Sequence, residues 1–168
     1  ALAVDSVLVA SSAYFVIWFY QPLLTRIGIP LYYFGFVHAL MLGSEIFVSS
    51  HFSIAEKILG SGKRYLQWSA ILTTCAFLLV AIYPRVVTVL LFVIIAGGVG
   101  ITRATYITAL AQKHIRSSER ATVLSSVAML RRLALVILNP FVGLTADYSL
   151  RLALFLVGLL PLGTFMLS

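Results

Sequence analysis

The chain has 168 residues, of which 61% are hydrophobic and only 10% are charged. Soluble domains carry about 25% charged residues, so the composition excludes an ordinary soluble protein and indicates one that lies largely within a membrane. The formal net charge of +7 does not predict nucleic-acid binding, because the basic residues occur in short loops, where membrane topology explains them. The single cysteine, Cys75, excludes an internal disulfide bond.

Six apolar segments follow one another along the chain and predict six transmembrane helices. A hydrocarbon core of roughly 30 Å takes about 20 apolar residues to cross as a helix, and a helix satisfies its backbone polar groups internally. No basic region precedes the first apolar run, which argues against a signal peptide. The chain also ends within an apolar run, so we expect it to be part of a longer protein. The predicted spans are 3–27, 31–56, 65–83, 86–112, 121–146 and 150–168.

Basic residues are distributed unequally among the loops. The second-to-third and fourth-to-fifth loops hold three each, whereas the alternate loops hold one each. Basic residues accumulate on the cytoplasmic side of a membrane. We therefore expect a multi-pass protein of the cell membrane (inner or plasma) with both ends of this segment in the cytoplasm. The residues, loop by loop, are Lys57, Lys63 and Arg64; Lys113, Arg116 and Arg120; and singly Arg26, Arg85 and Arg151.

The polarity of the segments repeats after three helices. The third and sixth segments carry no charge in their interiors, whereas the second, fourth and fifth carry Glu45, Arg103, Arg131 and Arg132. Because three spans is an odd number, the second triplet must run inverted relative to the first. Inverted repeats with a binding site near the midplane recur in transporters. The predicted fold is therefore a single all-α bundle over 1–168, built from two inverted three-helix repeats.

Three stretches resemble the C-terminal half of transporters of the major facilitator superfamily. Residues 55–64 (AEKILGSGKR) resemble the second copy of its acidic–Gly–basic–basic loop, and residues 116–125 (RSSERATVLS) resemble the start of its eleventh helix. Residues 139–147 (NPFVGLTAD) resemble the end of that helix. The resemblance implies a partner half of six further helices and a central cavity lined by the first, second, fourth and fifth helices. It also implies a cytoplasmic latch that includes Glu56, Lys63 and Arg64.

Charged side chains deep in the spans are the first candidates for a site. Glu45 lies roughly 21 Å into the second helix at 1.5 Å per residue, and His38 lies two turns earlier on the same face. An intramembrane carboxylate is costly and usually faces a cavity or a charged partner. We expect Glu45 to pair with one of the deep arginines, and it is a candidate proton carrier. The alternative is a structural contact between helices.

The deep arginines outnumber the deep carboxylates. Arg131 and Arg132 lie roughly 15 Å into the fifth helix, and Arg103 lies roughly 13 Å from the cytoplasmic end of the fourth. The positive charge can be balanced at the interface, by the substrate or by the missing half. Helix packing is the alternative role. Further candidates lie on the first helix or on the helices that carry the deep arginines. They are Tyr14, Trp18, Gln21, Tyr106 and Asn139.

The resulting hypothesis is a secondary active transporter of small solutes that works by alternating access. Its expected partners are a small-molecule substrate, the missing half and membrane lipid, with protons as a candidate coupling ion. The rival hypothesis is a six-helix membrane enzyme or structural membrane subunit. The stretch 60–64 lacks the Ser or Thr that follows Lys in a phosphate-binding loop, so we do not expect it to bind a nucleotide. The leading hypothesis also predicts no cofactor and no enzymatic activity.

Overall fold

The computed structural model describes residues 2–114 and 119–166, and within them every regular element is helical. Arg116 of the predicted cytoplasmic loop lies outside the described residues. A 3-10 turn (Leu31–Tyr33) precedes α2, a π-helical segment (Val93–Ile101) joins α5 to α6, and a 3-10 segment (Leu160–Met166) follows α8. The α-helices are α1 (Leu2–Arg26), α2 (Phe34–Ser50), α3 (Phe52–Leu59), α4 (Gly62–Ile82), α5 (Val86–Phe92), α6 (Thr102–His114), α7 (Arg120–Tyr148) and α8 (Leu150–Leu159).

Within the described residues, four helical stretches are long and apolar enough to cross a membrane. They correspond to the second, third, fourth and fifth predicted spans, which confirms an all-α protein with helices of membrane length. The first predicted span is the 25-residue helix α1, and the sixth contains a shorter apolar helix, Leu150–Gly163. The four stretches are Leu31–Ser50, Gly62–Ile82, Val86–Leu110 and Ala121–Tyr148.

The second predicted span, 31–56, is not one continuous helix. It breaks at His51, whose φ of −111° and ψ of 15° separate α2 from α3. Three side chains compete with the backbone just before the break. The hydroxyls of Ser49 and Ser50 donate to the Ile46 carbonyl at 3.0 and 2.5 Å, and the His51 ring nitrogen lies 2.7 Å from the Phe47 carbonyl. Side chains that bond to nearby carbonyls in this way weaken the continuation of a helix.

Glycines bring the fourth span close to its neighbours. In the π-helical segment, a Cβ built on Gly98 would lie 2.9 Å from the Ser44 hydroxyl of α2. A Cβ on Gly100 would lie 2.9 Å from Ala13 of α1 and 3.1 Å from the Thr73 hydroxyl of α4. Small residues permit this approach of helix backbones. The π-helical segment therefore lies at the junction of α1, α2 and α4.

The apolar core lies between α1, α4, α5, the π-helical segment and α8. Phe77 and Phe92 are fully buried there, with ring centroids 4.8 Å apart in an edge-on arrangement. Burial falls off sharply in two helices. In the apolar part of α4, 56% of the residues are buried. The share falls to 11% in the stretch that contains α2 and to 0% in the stretch that contains α7. Two faces of the bundle, along α2 and α7, are therefore left uncovered by the described residues.

Candidate functional site

A cavity of about 590 Å³ lies between α1, α6 and α7. Tyr14 reaches it from α1, Thr105 and Thr108 from α6, and Arg131 and Arg132 from α7. Its remaining described lining is apolar and comprises Ile101, Ala104 and Leu135. Three helices predicted to line a central cavity, the first, fourth and fifth, thus meet at this one space.

Both deep arginines of α7 reach this cavity. Consecutive residues point about 100° apart on a helix, and the burial of the two differs accordingly, since Arg131 is half-buried and Arg132 is exposed. The Thr108 hydroxyl donates to the Ala104 carbonyl of its own helix at 2.8 Å. Among the described residues that line the cavity, none carries a carboxylate. The site is therefore positively charged.

A second cavity of about 410 Å³ continues along the same pair of helices. Trp18 and Pro22 of α1 face Asn139 and Asp147 of α7 across it. Residue numbers increase in the same direction on both helices, because Tyr14 shares the first cavity with Arg131 and Trp18 shares the second with Asn139. The two cavities therefore follow one another along a groove between parallel helices. Asp147 was not predicted as a site residue, although it ends the family-like motif at 139–147.

A polar group joins α1 to α2 outside these cavities. The Tyr20 and His38 rings lie 5.9 Å apart between centroids, and the Gln21 side-chain amide donates to the Tyr20 hydroxyl at 3.3 Å. His38 and Glu45 lie seven residues apart within α2, two turns along the same face of the helix. The continuous helix over Phe34–Ser50 is consistent with the predicted common face of His38 and Glu45. Tyr20 contacts His38 because it is buried where α1 approaches α2. The residues next to Tyr20 in the sequence did not predict this contact.

The expected pairing of Glu45 with an arginine does not occur among the described residues. Arg131 lines the α1–α6–α7 cavity, whereas Glu45 lies on α2 with His38. Helical depth estimated from sequence places residues along the membrane normal but not around the bundle. Depth within the membrane was therefore an insufficient reason to pair Glu45 with an arginine.

Arg103 lies against α4 rather than in a cavity. Only 2% of its surface is exposed, and its guanidinium donates to the Leu66 carbonyl and, at 2.6 Å, to the Ser69 hydroxyl. The prediction that Arg103 lines the central cavity is therefore not supported. The π-helical segment that ends at Ile101 has i→i+5 hydrogen bonds and a wider turn. The side chains that follow this segment therefore point in a different direction from the one expected for a regular α-helix with about 3.6 residues per turn.

Tyr106, one turn further along α6, also faces α4 instead of a cavity. Its ring lies 4.6 Å from the Tyr65 ring and 5.3 Å from the Phe52 ring between centroids. These side chains form a small apolar cluster that fixes α3 and α6 to the start of α4. Tyr106 therefore belongs to the end of the bundle that carries the loop predicted to be cytoplasmic.

The three residues predicted to form a latch lie on the helices that carry this aromatic cluster, with Glu56 on α3 and Lys63 and Arg64 at the start of α4. Glu56 is half-buried on α3. A Cβ on Gly62 would collide with the Tyr106 hydroxyl and lie 3.5 Å from the Glu56 carboxylate, so these two side chains approach each other beside Gly62. Lys63 is exposed in the first turn of α4. Arg64 is exposed as well, and its guanidinium lies 3.5 Å from the Leu59 carbonyl. The loop thus places its carboxylate inward and its basic groups outward.

Ser61 begins α4 in an extended conformation, and its hydroxyl accepts a hydrogen bond from the Arg64 N–H at 3.3 Å. Gly60, with φ of 80°, ends α3 in the left-handed conformation that glycine tolerates best. This pair of residues turns the chain between the two helices. The geometry of the latch is therefore determined locally by the sequence of the loop.

Comparisons with protein-family models, with curated proteins and with solved structures find no match to this chain. The functional interpretation therefore depends on the geometry of the cavities and on the chemistry of their side chains. In the part of the chain that the structure describes, no group of three or more His, Cys, Asp or Glu residues could hold a metal ion.

Proposed function

We propose that this chain is one six-helix bundle, with two inverted three-helix repeats, of a secondary transporter that moves small solutes by alternating access. The observation that carries the proposal is the first cavity. Tyr14, Arg131 and Arg132 come from segments more than a hundred residues apart and converge on one space of about 590 Å³ in an otherwise apolar bundle. Intramembrane charged residues usually face such cavities and lie on substrate or ion pathways.

Alternating access requires a second rigid body against which this bundle rocks. The resemblance to the major facilitator superfamily suggests that this body is a second half of six helices. The weak burial of α2 and α7 supports the suggestion, since a partner on these faces would cover the cavities from the open side. In this proposal Glu56, Lys63 and Arg64 lie on the cytoplasmic side and contact the partner half in one of the two conformations.

Protons are the coupling ion that the polar group between α1 and α2 suits best. His38 and Glu45 lie two turns apart on the same face of α2, and both are half-buried. A histidine beside a carboxylate can exchange protons between about pH 5 and 8. The polar group lies on a different side of α1 from Arg131 and Arg132. In this proposal, protonation of the polar group affects substrate binding in the cavity through a movement of α1. The small-molecule substrate occupies the cavity between α1, α6 and α7.

A cysteine in the first cavity tests alternating access without a known substrate. We expect Thr105→Cys, in a cysteine-free background, to react with a membrane-impermeant thiol reagent applied to either side of sealed proteoliposomes. Reaction from one side should compete with reaction from the other, because each molecule opens to one side at a time.

The control is a cysteine at the exposed position Val136 of α7, which is 67% exposed and lies outside both cavities. It should not show this two-sided reactivity. A Thr105→Cys variant that reacts from one side only, in a protein of wild-type thermal stability, would contradict alternating access. That result would favour the rival hypothesis of a structural subunit or a membrane enzyme.

A further inference from the structure

We propose that the cavity between α1, α6 and α7 binds a small solute through an oxyanion group, either a carboxylate or a phosphate. This inference rests on the proposed transport function and assigns the class of its substrate. Four observations support it: the positive charge of the cavity, the lack of described partners for Arg131 and Arg132, the depth of these arginines in the membrane, and the shape of the cavity.

The cavity has positive charge that the described residues do not balance. Two guanidinium groups line it and no described carboxylate does. The carboxylates whose side chains the structure describes lie elsewhere. Glu45 shares a face of α2 with His38, Glu56 lies near Tyr106, Asp147 lines the second cavity, and Glu119 is exposed just before α7. Arginine stays protonated under all physiological conditions. A ligand with a negative charge therefore provides the missing counter-charge.

The contrast with Arg103 shows that this chain can satisfy a buried arginine internally. The Arg103 guanidinium donates to a carbonyl and a hydroxyl of α4. Within the described residues, Arg131 and Arg132 make no hydrogen bond or ion pair of this kind. Placing a charged group in a low-dielectric region without a partner is costly. Arginines left with open donors at a cavity are therefore consistent with a ligand site.

The depth of these arginines separates them from the lipid headgroups. The helix α7 has 29 residues, and Arg131 lies about 16 Å from its start at 1.5 Å per residue. Hydrocarbon occupies roughly 30 Å of the membrane, so the base of Arg131 lies near the middle. A solute that enters the cavity reaches this depth more directly than a headgroup phosphate does.

The shape of the cavity suits an oxyanion on a small organic molecule. Guanidinium groups bind carboxylate and phosphate with paired hydrogen bonds. Tyr14 lines the cavity from the facing helix and carries a hydroxyl that can act as a further donor, whereas the apolar lining at Ile101 and Leu135 suits the uncharged part of a solute. Binding cavities for small molecules have volumes of roughly 300–1,000 Å³, and about 590 Å³ falls within that range.

Binding of inorganic sulfate and phosphate to the purified protein in uncharged detergent tests the proposal with minimal oxyanions. Thermal unfolding is measured at increasing sulfate or phosphate and at equal ionic strength of chloride. We expect both oxyanions, and not chloride, to stabilise the wild type in a saturable way. The variant Arg132→Gln should weaken the apparent affinity by about tenfold or more, the typical effect of losing a charged hydrogen bond.

Arg132 is chosen because it is exposed, so its replacement removes charge without disturbing packing. The matched control is Arg85→Gln, which changes an exposed arginine of a loop and should keep wild-type affinity. Equal stabilisation by chloride and the oxyanions, or equal affinity of Arg132→Gln and Arg85→Gln, would overturn the proposal.

A lipid phosphate is the other source of the same chemistry, and nanodiscs distinguish the two. We expect oxyanion stabilisation to persist when phosphatidylglycerol replaces most of the phosphatidylcholine. Its disappearance in phosphatidylglycerol would identify the cavity as a headgroup site and would overturn the solute proposal.

The two proposals fail separately. Oxyanion binding that depends on Arg132, in a protein whose Thr105→Cys variant reacts from one side only, retains the anion site and rejects transport. Two-sided reactivity without oxyanion binding retains transport and rejects the anionic substrate.

Discussion

Replacement of Gly100 with alanine should destabilise the bundle, because Gly100 lies where three helical segments meet. A Cβ at this position would lie 2.9 Å from the Ala13 Cβ of α1, and 3.1 and 3.3 Å from the two branches of Thr73 on α4. Neither neighbour can move easily. Ala13 and Thr73 are fully buried, and the Thr73 hydroxyl is fixed by a 2.8 Å hydrogen bond to the Ser69 carbonyl.

The size of the effect follows from two opposing contributions. Inserting a methyl group into a well-packed region costs about 1–3 kcal/mol. Alanine regains about 0.5–1 kcal/mol over glycine in a helix, because it loses less backbone freedom on folding. The net loss is about 1 kcal/mol at the centre of these ranges and at most about 2.5 kcal/mol. For a protein of 168 residues, each kcal/mol lowers the melting temperature by about 2–4 °C, so Gly100→Ala should melt about 2–10 °C below the wild type.

The same substitution at Gly43 is the matched control. Gly43 lies in α2, and no heavy atom would lie within 4 Å of a Cβ there. Gly43→Ala should therefore keep or slightly raise the melting temperature, measured by thermal unfolding in detergent under identical conditions. If Gly100→Ala melts at or above Gly43→Ala, the close contact of α1, α4 and the π-helical segment does not exist as described.

Three further outcomes test other parts of the structure. In a cysteine-free background, Lys57→Cys should react with an impermeant thiol reagent from the cytoplasm and Tyr32→Cys from outside, and reaction of both from one side would refute the topology. Glu45→Gln should reduce proton-coupled transport and flatten its dependence on pH between about pH 5 and 8, because it removes the carboxylate that shares a face of α2 with His38. Wild-type transport at every pH would remove Glu45 from the coupling. Ser69→Ala should lower the melting temperature by an amount equivalent to about 1–2 kcal/mol, because it removes a 2.6 Å hydrogen bond to a buried guanidinium, and an unchanged melting temperature would show that Arg103 does not depend on this contact.

The sequence by itself determined the class of protein and the rough position of its helices. The reason is the membrane, since long apolar segments have one way to satisfy their backbone groups there. The common face of His38 and Glu45 could also be predicted, because a separation of seven residues within one helix is a local property. The turn at Gly60 and Ser61 was local as well, and the structure shows how these residues end one helix and begin the next.

Only the tertiary structure decided what each deep charged residue contacts. Arg103 and Arg131 looked equivalent in sequence, yet Arg103 donates to α4 and Arg131 lines the cavity beside Tyr14. The π-helical segment at 93–101 turns the residues after it away from the face that a regular helix would give them. The break at His51 was hidden in the same way within a continuous apolar run. The packing of helices around one another depends on contacts between distant residues, and no local pattern in the sequence encodes those contacts.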